Sequence, residues 1–499
     1  MGGWMEEARS VSLVGLGKTI VAAVVMLIIT VAVGYALGSA LISPNWQDAV
    51  RYTVMGGLAF VIFASPVNGL FLWMLMAPFA QASYTDIWRI LNIRMPPGIP
   101  DLTPDRLAVG LLSVVLLAQL AVGKRRGRRL GLELYMVSFC IMALPAIAAS
   151  LSGINSAGQL VLDKFIIPFA VFVLAKNLYE EKISLDKLCA TLAIIGLYLS
   201  FMILYEHVTG DPLFTAIGRT TVYTRSLRKI VSLLGNPAFL ATVLGMIVPM
   251  ALYKCLHDRS RYGRAFYGGL FLTALLGNFF CYNRGAWLAL AAGLVVLLLD
   301  RRYRSILLPI ILIGALAGLL YWQIISETAV VSERLSNVSS LQFRIDLLTV
   351  SLQIIRDHPL FGVGVGNFAY YFLQYGGHWE TLAFDLPTPH NTFVLVLTTM
   401  GLASLVPYAL IFLSMSLSLL AKMVRFRGDA RVDKSLLVAC LGVVAVYVVS
   451  SAAVDLYVSV FSSLIFFLIA GTVMGYVSDL RFLQPLPRRG GGRGAAATQ

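Results

Sequence analysis

The sequence contains few charged residues. Only 13% of its 499 residues are Asp, Glu, Lys or Arg, whereas about a quarter of the residues of a soluble globular domain are charged. Hydrophobic residues make up 58% of the chain, and the mean hydropathy is +0.81. Such a composition excludes a soluble globular protein and predicts a polytopic integral membrane protein.

Cysteine and acidic residues are also sparse, and neither type is clustered. The five cysteines lie in or beside apolar runs and lack the spacing of metal or redox sites. We therefore expect them to be small buried apolar side chains. The acidic residues of the predicted outer loops are scattered, so the sequence predicts neither a metal site nor a cofactor. The cysteines are Cys140, Cys189, Cys255, Cys281 and Cys440.

Apolar runs dominate the rest of the chain, and a run of about 20 residues is long enough to cross a bilayer as a helix. We predict an all-α fold with about 12–14 transmembrane helices. The first run is too long for a signal peptide and counts as a span. The runs are 17–42, 53–66, 67–81, 106–122, 131–151, 159–177, 188–206, 236–256, 265–282, 286–299, 305–325, 393–421, 435–453 and 457–476.

The basic residues are distributed unevenly between the two sides of the predicted membrane. If the amino terminus is cytoplasmic, 26 of the 39 Lys and Arg residues fall in cytoplasmic segments, as the positive-inside rule requires. Both termini are then cytoplasmic. The charges are dispersed rather than gathered in one patch, so we expect contact with membrane lipids and not with nucleic acid. Residues 1–485 form one transmembrane domain, and the Pro/Gly/Ala-rich tail 486–499 is predicted to be disordered.

Arginines are enriched on the predicted outer side. Of twelve outer basic residues, eleven are Arg, whose planar fork matches phosphate oxygens and stays charged. Arg284 lies in the tight turn "CYNRGAW", and Arg219, Arg225 and Arg228 crowd the loop 207–235. These arginines would suit a diphosphate whose lipid tail lies in the bilayer. The alternatives are a side chain of Arg284 that reaches lipid headgroups and an ordinary solvated loop.

Two other titratable positions attract attention. Lys164 and Asp163 lie about a turn inside a predicted span, where ionisable residues are usually functional. Adjacent helical residues point about 100° apart, so structural pairing elsewhere is an equal alternative.

His390 stands with Asn391 where the run "PTPHNTFVLVLTTMGL" enters the membrane. A histidine can accept a proton near neutral pH, so we predict His390 as the base, with His207 as the fallback.

The long outer segment 326–392 contains an amphipathic pattern and then a glycine-rich turn. Apolar residues recur at helical spacing in "SLQFRIDLLTVSLQIIRDHPLF", which predicts a helix, and "GVGVGNF" predicts the turn. With the arginines and His390, these features indicate a transferase. The arginines would neutralise a departing diphosphate, and His390 would take the proton from an acceptor hydroxyl that attacks the anomeric carbon.

Four stretches carry a resemblance to a known family. The run "RIDLLTVSLQIIRDHPLFGVGVGNFAYYF" and the later "PTPHNTFVLVLTTMGLASLVPYALIF" resemble the shared domain of bacterial O-antigen ligases and O-antigen polymerases. "CYNRGAWLALAAGL" and "GNPAFLATVLGM" are similar to two further blocks of that family. The resemblance covers about residues 225–420.

The resemblance implies a periplasm-facing inverting glycosyltransferase in the bacterial inner membrane that needs no nucleotide sugar or metal. The donor would be an undecaprenyl-diphosphate-linked glycan, and the acceptor a lipid A core or another glycan. The family's histidine corresponds to His390 and its Arg-Gly arginine to Arg284. Its arginine before the "GNP" block corresponds to Arg228, with Arg225 as a rival, and Arg344 matches the arginine that opens the periplasmic helix.

The sequence predicts roles for further residues and several possible functions. We predict Arg219, Arg225, Arg228, Arg284 and Lys164 as diphosphate-binding residues. Asn391 and Arg344 are predicted to be structural or to orient the substrate. The leading function is an O-antigen ligase, which lengthens lipopolysaccharide by transfer to the lipid A core. Alternatives are an O-antigen or exopolysaccharide polymerase, a protein-glycan ligase and, more remotely, a small-anion transporter or a structural scaffold.

Overall fold

A computed structural model of the protein describes residues 46–81, 91–93, 95, 100–210, 213, 223–224, 227–228, 230, 232–320, 339–376 and 388–480. The predicted first span 17–42 and the predicted tail 486–499 lie outside these residues. The helices of the described part are α1 (Trp46–Ala64), α2 (Pro66–Gln81), α3 (Pro104–Ala121), α4 (Leu132–Met142), α5 (Leu144–Ala148), α6 (Ile154–Val161), a π-helix (Leu162–Ile166), α7 (Ile167–Asn177), α8 (Glu181–Thr209), α9 (Pro237–His257), α10 (Arg261–Phe280), α11 (Arg284–Leu297), α12 (Arg301–Leu320), α13 (Ser339–Asp357), α14 (Phe368–Gln374), α15 (Thr392–Arg425), α16 (Lys434–Ala453) and α17 (Val460–Asp479). Two short strands, β1 (Tyr223–Thr224) and β2 (Leu227–Arg228), pair in an antiparallel hairpin.

The fold is all-α and polytopic, as predicted. Within the described residues, seven helical segments are long and apolar enough to cross a membrane: α3, α6 with the π-helix and α7, α8, α9, α15, α16 and α17. Shorter apolar helices include α2 and α11. The larger count of spans and the sidedness of the membrane stay predictions.

The centre of the bundle is formed by α9, α16 and α17. In an apolar 18-residue stretch of each of these helices, 83%, 72% and 89% of the residues are buried within the protein, in that order. In the corresponding stretch of α3 only 28% of the residues are buried. These three helices are hydrophobic on all sides, as expected of helices surrounded by other helices. α11 packs against α16, and α17 packs against α7. The central position of α16 matters for the site, because the segment after it contacts several functional candidates.

A buried ion pair joins α4 to α7. The Lys176 ammonium contacts the carboxylate of Glu133 and donates to the carbonyl of Arg129 at 2.9 Å. The second carboxylate oxygen of Glu133 accepts the N–H of Gly131 at 2.9 Å. Both side chains are almost fully buried. Charges removed from water need such complete pairing, so the two residues fix α4 against α7.

The helix α15 is broken at Gly401, where the sequence predicts one continuous span over 393–421. Gly401 has φ 71° and ψ −178°, values that are not helical. The ring of Phe393 lies 5.8 Å from that of Tyr408 and 6.2 Å from that of Phe412. A straight helix would separate these residues by about 20 Å or more along its axis. Residues 392–400, here called the half-helix, therefore fold back against residues 402–425.

The predicted amphipathic helix of the outer segment is confirmed as α13. Its apolar face buries Leu347, Val350 and Ile354 in a small cluster that includes Val363 and Leu395. α13 thus packs against the half-helix of α15. All five cysteines are free thiols, and three of them are buried.

Candidate active site

Arg284 is the first residue of α11, at the end of the bundle where α16 ends. The side-chain oxygen of Asn283 caps the helix by accepting the N–H of Ala286 at 2.9 Å. Gly285 packs directly on Ala453, since a Cβ at position 285 would lie 2.7 Å from the Ala453 Cβ. The Arg284 side chain is exposed. An exposed arginine at a helix N-terminus creates a positive site, because the helix dipole adds to its charge.

His390 lies beside the same end of α16. Asn391 caps the half-helix, and its oxygen accepts the N–H groups of Phe393 and Val394 at 3.0 and 3.1 Å. The buried Thr392 hydroxyl donates to the carbonyl of Val454 at 3.2 Å and accepts the N–H of Leu456 at 3.0 Å. Thr392 therefore fastens the start of the half-helix to residues 454–459, here called the Asp455 loop.

Asp455 is a candidate that the sequence interpretation missed. Its carboxyl group is buried next to the Thr388 side chain and the His390 main chain. Burial raises the pKa of Asp455 to about 6, although those two hydrogen-bonding neighbours oppose the shift. Within the described residues, neither oxygen of the Asp455 carboxyl group has a well-aligned hydrogen-bond partner. A buried acid with an incomplete shell of partners is a feature of functional sites.

Arg344 approaches Arg284 from α13. The pKa of the Arg344 guanidinium lies below its usual value because its surroundings partly exclude water and because the Arg284 guanidinium is close. Within the described part of the chain, neither arginine forms an ion pair. Two neighbouring positive charges that no carboxylate of the described residues pairs are suited to an anionic ligand.

Lys164 and Asp163 belong to the π-helix and point to different partners, as adjacent residues must. Asp163 forms a two-fold hydrogen-bonded ion pair with Arg106, at 2.8 and 2.7 Å. The Lys164 ammonium donates to the carbonyl of Val458, at 3.0 Å, and therefore contacts the Asp455 loop. The ion pair with Arg106 therefore gives Asp163 a structural role, and the Lys164 ammonium is hydrogen-bonded to a main-chain carbonyl. π-Helical turns inside α-helices often occur at functional sites.

The described ends of the arginine-rich segment 207–235 lie at the same end of the bundle. The buried carboxylate of Glu206 accepts the N–H of Ser232 at 2.8 Å. The His207 ring lies 4.5 Å from that of Phe280 and 6.3 Å from that of Tyr282, next to the Arg284 turn. The main chain of Arg228 lies in the hairpin opposite Tyr223. The predicted diphosphate ligands Arg219 and Arg225 lie outside the described residues.

Backbone strain is concentrated in these segments. Four described residues other than glycine have a positive φ: Glu181, Ser232, Tyr282 and His390. Tyr282 precedes the Arg284 turn, Ser232 anchors the arginine-rich segment, and His390 has φ 50°. Such conformations cost about 1–3 kcal/mol and tend to persist where a site requires them.

The structure thus brings Arg284, Arg344, His390, Asp455 and Lys164 to one end of the bundle. A separate cavity of about 610 Å³ lies at the opposite ends of α8, α9 and α16 and is lined by Lys254, Asp186 and Tyr253, among others. It contains none of the predicted site residues. The described residues include no group of three or more His, Cys, Asp and Glu side chains that could hold a metal ion.

Comparison with known proteins supports the resemblance that the sequence predicts. Residues 268–409 match the family model described as O-antigen ligase, which confirms the predicted resemblance to the O-antigen ligase and polymerase family. The matched stretch contains Arg284, Arg344 and His390. No curated protein matches the chain. The match and the multi-pass helical fold together support an O-antigen ligase-like membrane glycosyltransferase.

Proposed function

We propose that the protein transfers a glycan from undecaprenyl diphosphate to an acceptor hydroxyl on the periplasmic side of the bacterial inner membrane, as an O-antigen ligase. The proposal rests on the position of Arg284 beside the end of α16, where its charge acts on Arg344 of α13. Thr392, two residues after His390, is hydrogen-bonded to Val454 at the same end of α16. The arrangement combines an anion site with a titratable residue at one end of a membrane bundle.

The two arginines would bind the diphosphate of the donor. Each guanidinium repels the other in the absence of a ligand, and a bound diphosphate would convert this repulsion into two attractions. The N-terminus of α11 adds partial positive charge at Arg284. Because more negative charge develops on the diphosphate as it leaves, this positive charge stabilises the transition state more than the ground state.

The proposed reaction is a single displacement at the anomeric carbon. The acceptor oxygen forms a bond to this carbon while the bond from the carbon to the diphosphate oxygen breaks. The departing undecaprenyl diphosphate keeps the electron pair, and His390 takes the hydroxyl proton. Attack from the face opposite the leaving group inverts the anomeric configuration.

Asp455 would support His390 in this reaction. With a pKa of about 6, its carboxyl group is mainly ionised at neutral pH. A buried carboxylate beside the main chain of His390 can hold that residue in its left-handed conformation. Its negative charge would also favour the imidazolium that forms when the proton is taken. Asp455 is therefore proposed as a positioning residue.

The test is a transfer assay with the purified protein in liposomes. The donor is an undecaprenyl-diphosphate-linked oligosaccharide, and two acceptors compete: a lipid A core and a second lipid-linked glycan. We expect the product on the lipid A core and free undecaprenyl diphosphate. Transfer to the lipid-linked glycan would identify a polymerase instead. Absence of transfer to both, together with uptake of a labelled anion into the liposomes, would favour the transporter.

Matched variants show whether the proposed residues carry the activity. His390→Ala is compared with His358→Ala, a histidine at the end of α13 whose ring lies 5.7 Å from that of Tyr371. Loss of the general base should lower the turnover of His390→Ala by about 10²–10⁴-fold. His358→Ala should transfer glycan at nearly the rate of the unmodified protein. Equal turnover of both variants would contradict the assignment of the base.

A further inference from the structure

The break in α15 is closed by a segment from elsewhere in the chain. A broken helix leaves main-chain groups without partners, which is costly inside a membrane. At Gly401, the N–H groups of Leu402 and Ala403 donate to the carbonyls of Pro359 and Leu360 at 2.9 and 3.1 Å. The segment 359–367, here called the clasp, therefore completes the hydrogen bonding on one side of the break.

The clasp also provides hydrogen-bond partners for the main chain on the other side of the break in α15. The N–H groups of Val363 and Gly364 donate to the carbonyls of Thr398 and Thr399 at 2.9 and 3.0 Å. Four main-chain hydrogen bonds thus link the clasp to the two parts of α15. The fit is close, because a Cβ at Gly401 would lie 2.1 Å from the carbonyl oxygen of Leu360. A side chain at position 401 would force the two segments apart.

The buried side chain of Asn367 attaches the clasp to a third part of the protein. Its amide donates to the carbonyl of Ala149 at 3.0 Å and to that of Val363 at 2.7 Å. Its oxygen accepts the N–H of Leu151 at 2.9 Å. All the hydrogen-bonding capacity of Asn367 except one oxygen lone pair is used, so the residue holds the clasp against the turn between α5 and α6.

The clasp lies between two parts of the candidate site. It follows α13, which carries Arg344, within two residues of the end of that helix. It also holds the last residues of the half-helix, whose first residue, Thr392, is fastened to the Asp455 loop. The half-helix is therefore held at both ends, and His390 lies two residues before its first residue. The spacing between Arg344 and His390 depends on both attachments.

We propose that the clasp, through Asn367 and the close contact at Gly401, is a positioning element that sets His390 relative to the arginine-bearing helix α13. The inference rests on the proposed glycan transfer. The clasp touches neither reacting group, so its loss should displace the base without removing the diphosphate site. A displacement of about 1 Å can lower turnover by about 100-fold.

Two variants with matched controls test the proposal. Gly401→Ala is compared with Gly123→Ala, because the two glycines have nearly the same φ, 71° and 70°. They differ in their surroundings, since no atom lies within 4 Å of a Cβ added at Gly123. Asn367→Ala is the milder change. Its control is Asn177→Ala, since Asn177 also bonds two main-chain groups, those of Val173 and Arg128, but far from the site. Thermal unfolding shows which variants remain folded.

The expected result for Asn367→Ala is a turnover number at least about tenfold lower, with the KM for the donor changed by less than about twofold. Gly401→Ala should show a larger loss of the same kind, and both controls should behave as the unmodified protein does. A folded Asn367→Ala protein with unchanged turnover would overturn the proposal. So would a rise in KM alone, because that would indicate a role in donor binding.

A second measurement does not depend on activity. Modification of His390 by diethyl pyrocarbonate can be followed by peptide mass spectrometry in the intact protein. We expect the rate at His390 to change in Asn367→Ala and to stay the same in Asn177→Ala, while the rate at His257 is constant in both. An unchanged rate of modification at His390 would contradict the proposed role of the clasp in positioning this residue. If the unmodified protein transfers no glycan, the proposed function fails, but this measurement still tests the clasp.

Discussion

Arg284 and Arg344 belong to different helices and are 60 positions apart in the chain, yet the charge of Arg284 lowers the pKa of Arg344. Partial exclusion of water is the larger cause of the lowered pKa of Arg344, and the positive charge of Arg284 is the smaller one. Such an arrangement does not stabilise the empty protein, because like charges repel. It becomes favourable when an anion with two or more negative charges binds between them.

Substitution of either arginine should therefore separate stability from activity. Arg284→Ala and Arg344→Ala should each lower kcat/KM by about 10²–10³-fold, because a group that stabilises the leaving diphosphate is lost. The thermal unfolding temperature should stay the same or rise slightly, since repulsion is relieved. The control is Arg356→Ala, an exposed residue in the last turn of α13. A marked fall in unfolding temperature with unchanged transfer would identify the arginines as structural.

The charge-conserving change Arg284→Lys tests whether the planar shape of the guanidinium is needed in addition to its charge. Lysine keeps the positive charge but lacks the planar fork that binds two phosphate oxygens. We expect the KM for the donor to rise by about tenfold and the fold to be unaffected. Full activity of Arg284→Lys would show that only charge is needed at this position.

The stability of the protein should depend on pH through Asp455. Its pKa rises from 3.8 to about 6 on folding, so between these values the folded state binds more protons than the unfolded state. Stability then falls as pH increases from about 4 to about 6, by about 3 kcal/mol, and changes little from this group above that range. Asp455→Asn should remove most of this dependence, as thermal unfolding in detergent at a series of pH values would show. An equal slope in both proteins would mean that other groups cause it.

Removal of divalent cations should leave transfer unaffected. The proposed mechanism assigns the neutralisation of the diphosphate to guanidinium groups. We therefore expect the transfer rate to be the same, within error, after dialysis against EDTA. Loss of activity, with recovery after addition of one metal, would show that the arginines do not suffice.

The ion pair between Lys176 and Glu133 should be important for stability and not for catalysis. Glu133→Gln leaves a buried ammonium without its counter-charge and should destabilise the protein by about 3–5 kcal/mol. The double variant Glu133→Leu with Lys176→Met should recover most of this loss, because neither charge then remains buried. A double variant as unstable as the single one would indicate that the pair specifies the packing of α4 on α7.

The sequence was sufficient for the helical class and for many of the described helix positions. Long apolar runs and the helical spacing of α13 are local signals, and the structure agrees with them. The break at Gly401 has no such local signal, because the run 393–421 is apolar throughout. The partners that make the break possible lie about 40 residues earlier, in the clasp. No local pattern predicts that contact.

The site was predictable only in part for the same reason. Arg284 and His390 stand out because polar residues interrupt apolar runs at their positions. Asp455 carries a similar signal, a carboxylate between two adjacent spans, and a systematic examination of charges at the ends of spans would have found it. The ion pair of Asp163 with Arg106 and the contact of Lys164 with Val458 depend on how distant helices pack.

The most direct test of the central claim, that His390 and Arg284 act in one site, is a double-mutant cycle on glycan transfer. The rates of Arg284→Ala, His390→Ala and the double variant are compared with that of the unmodified protein. Residues that act as a unit are not additive, so the double variant should be only about as impaired as the worse single variant. If the two losses multiply in the double variant, the residues act independently and the account of a single site is contradicted.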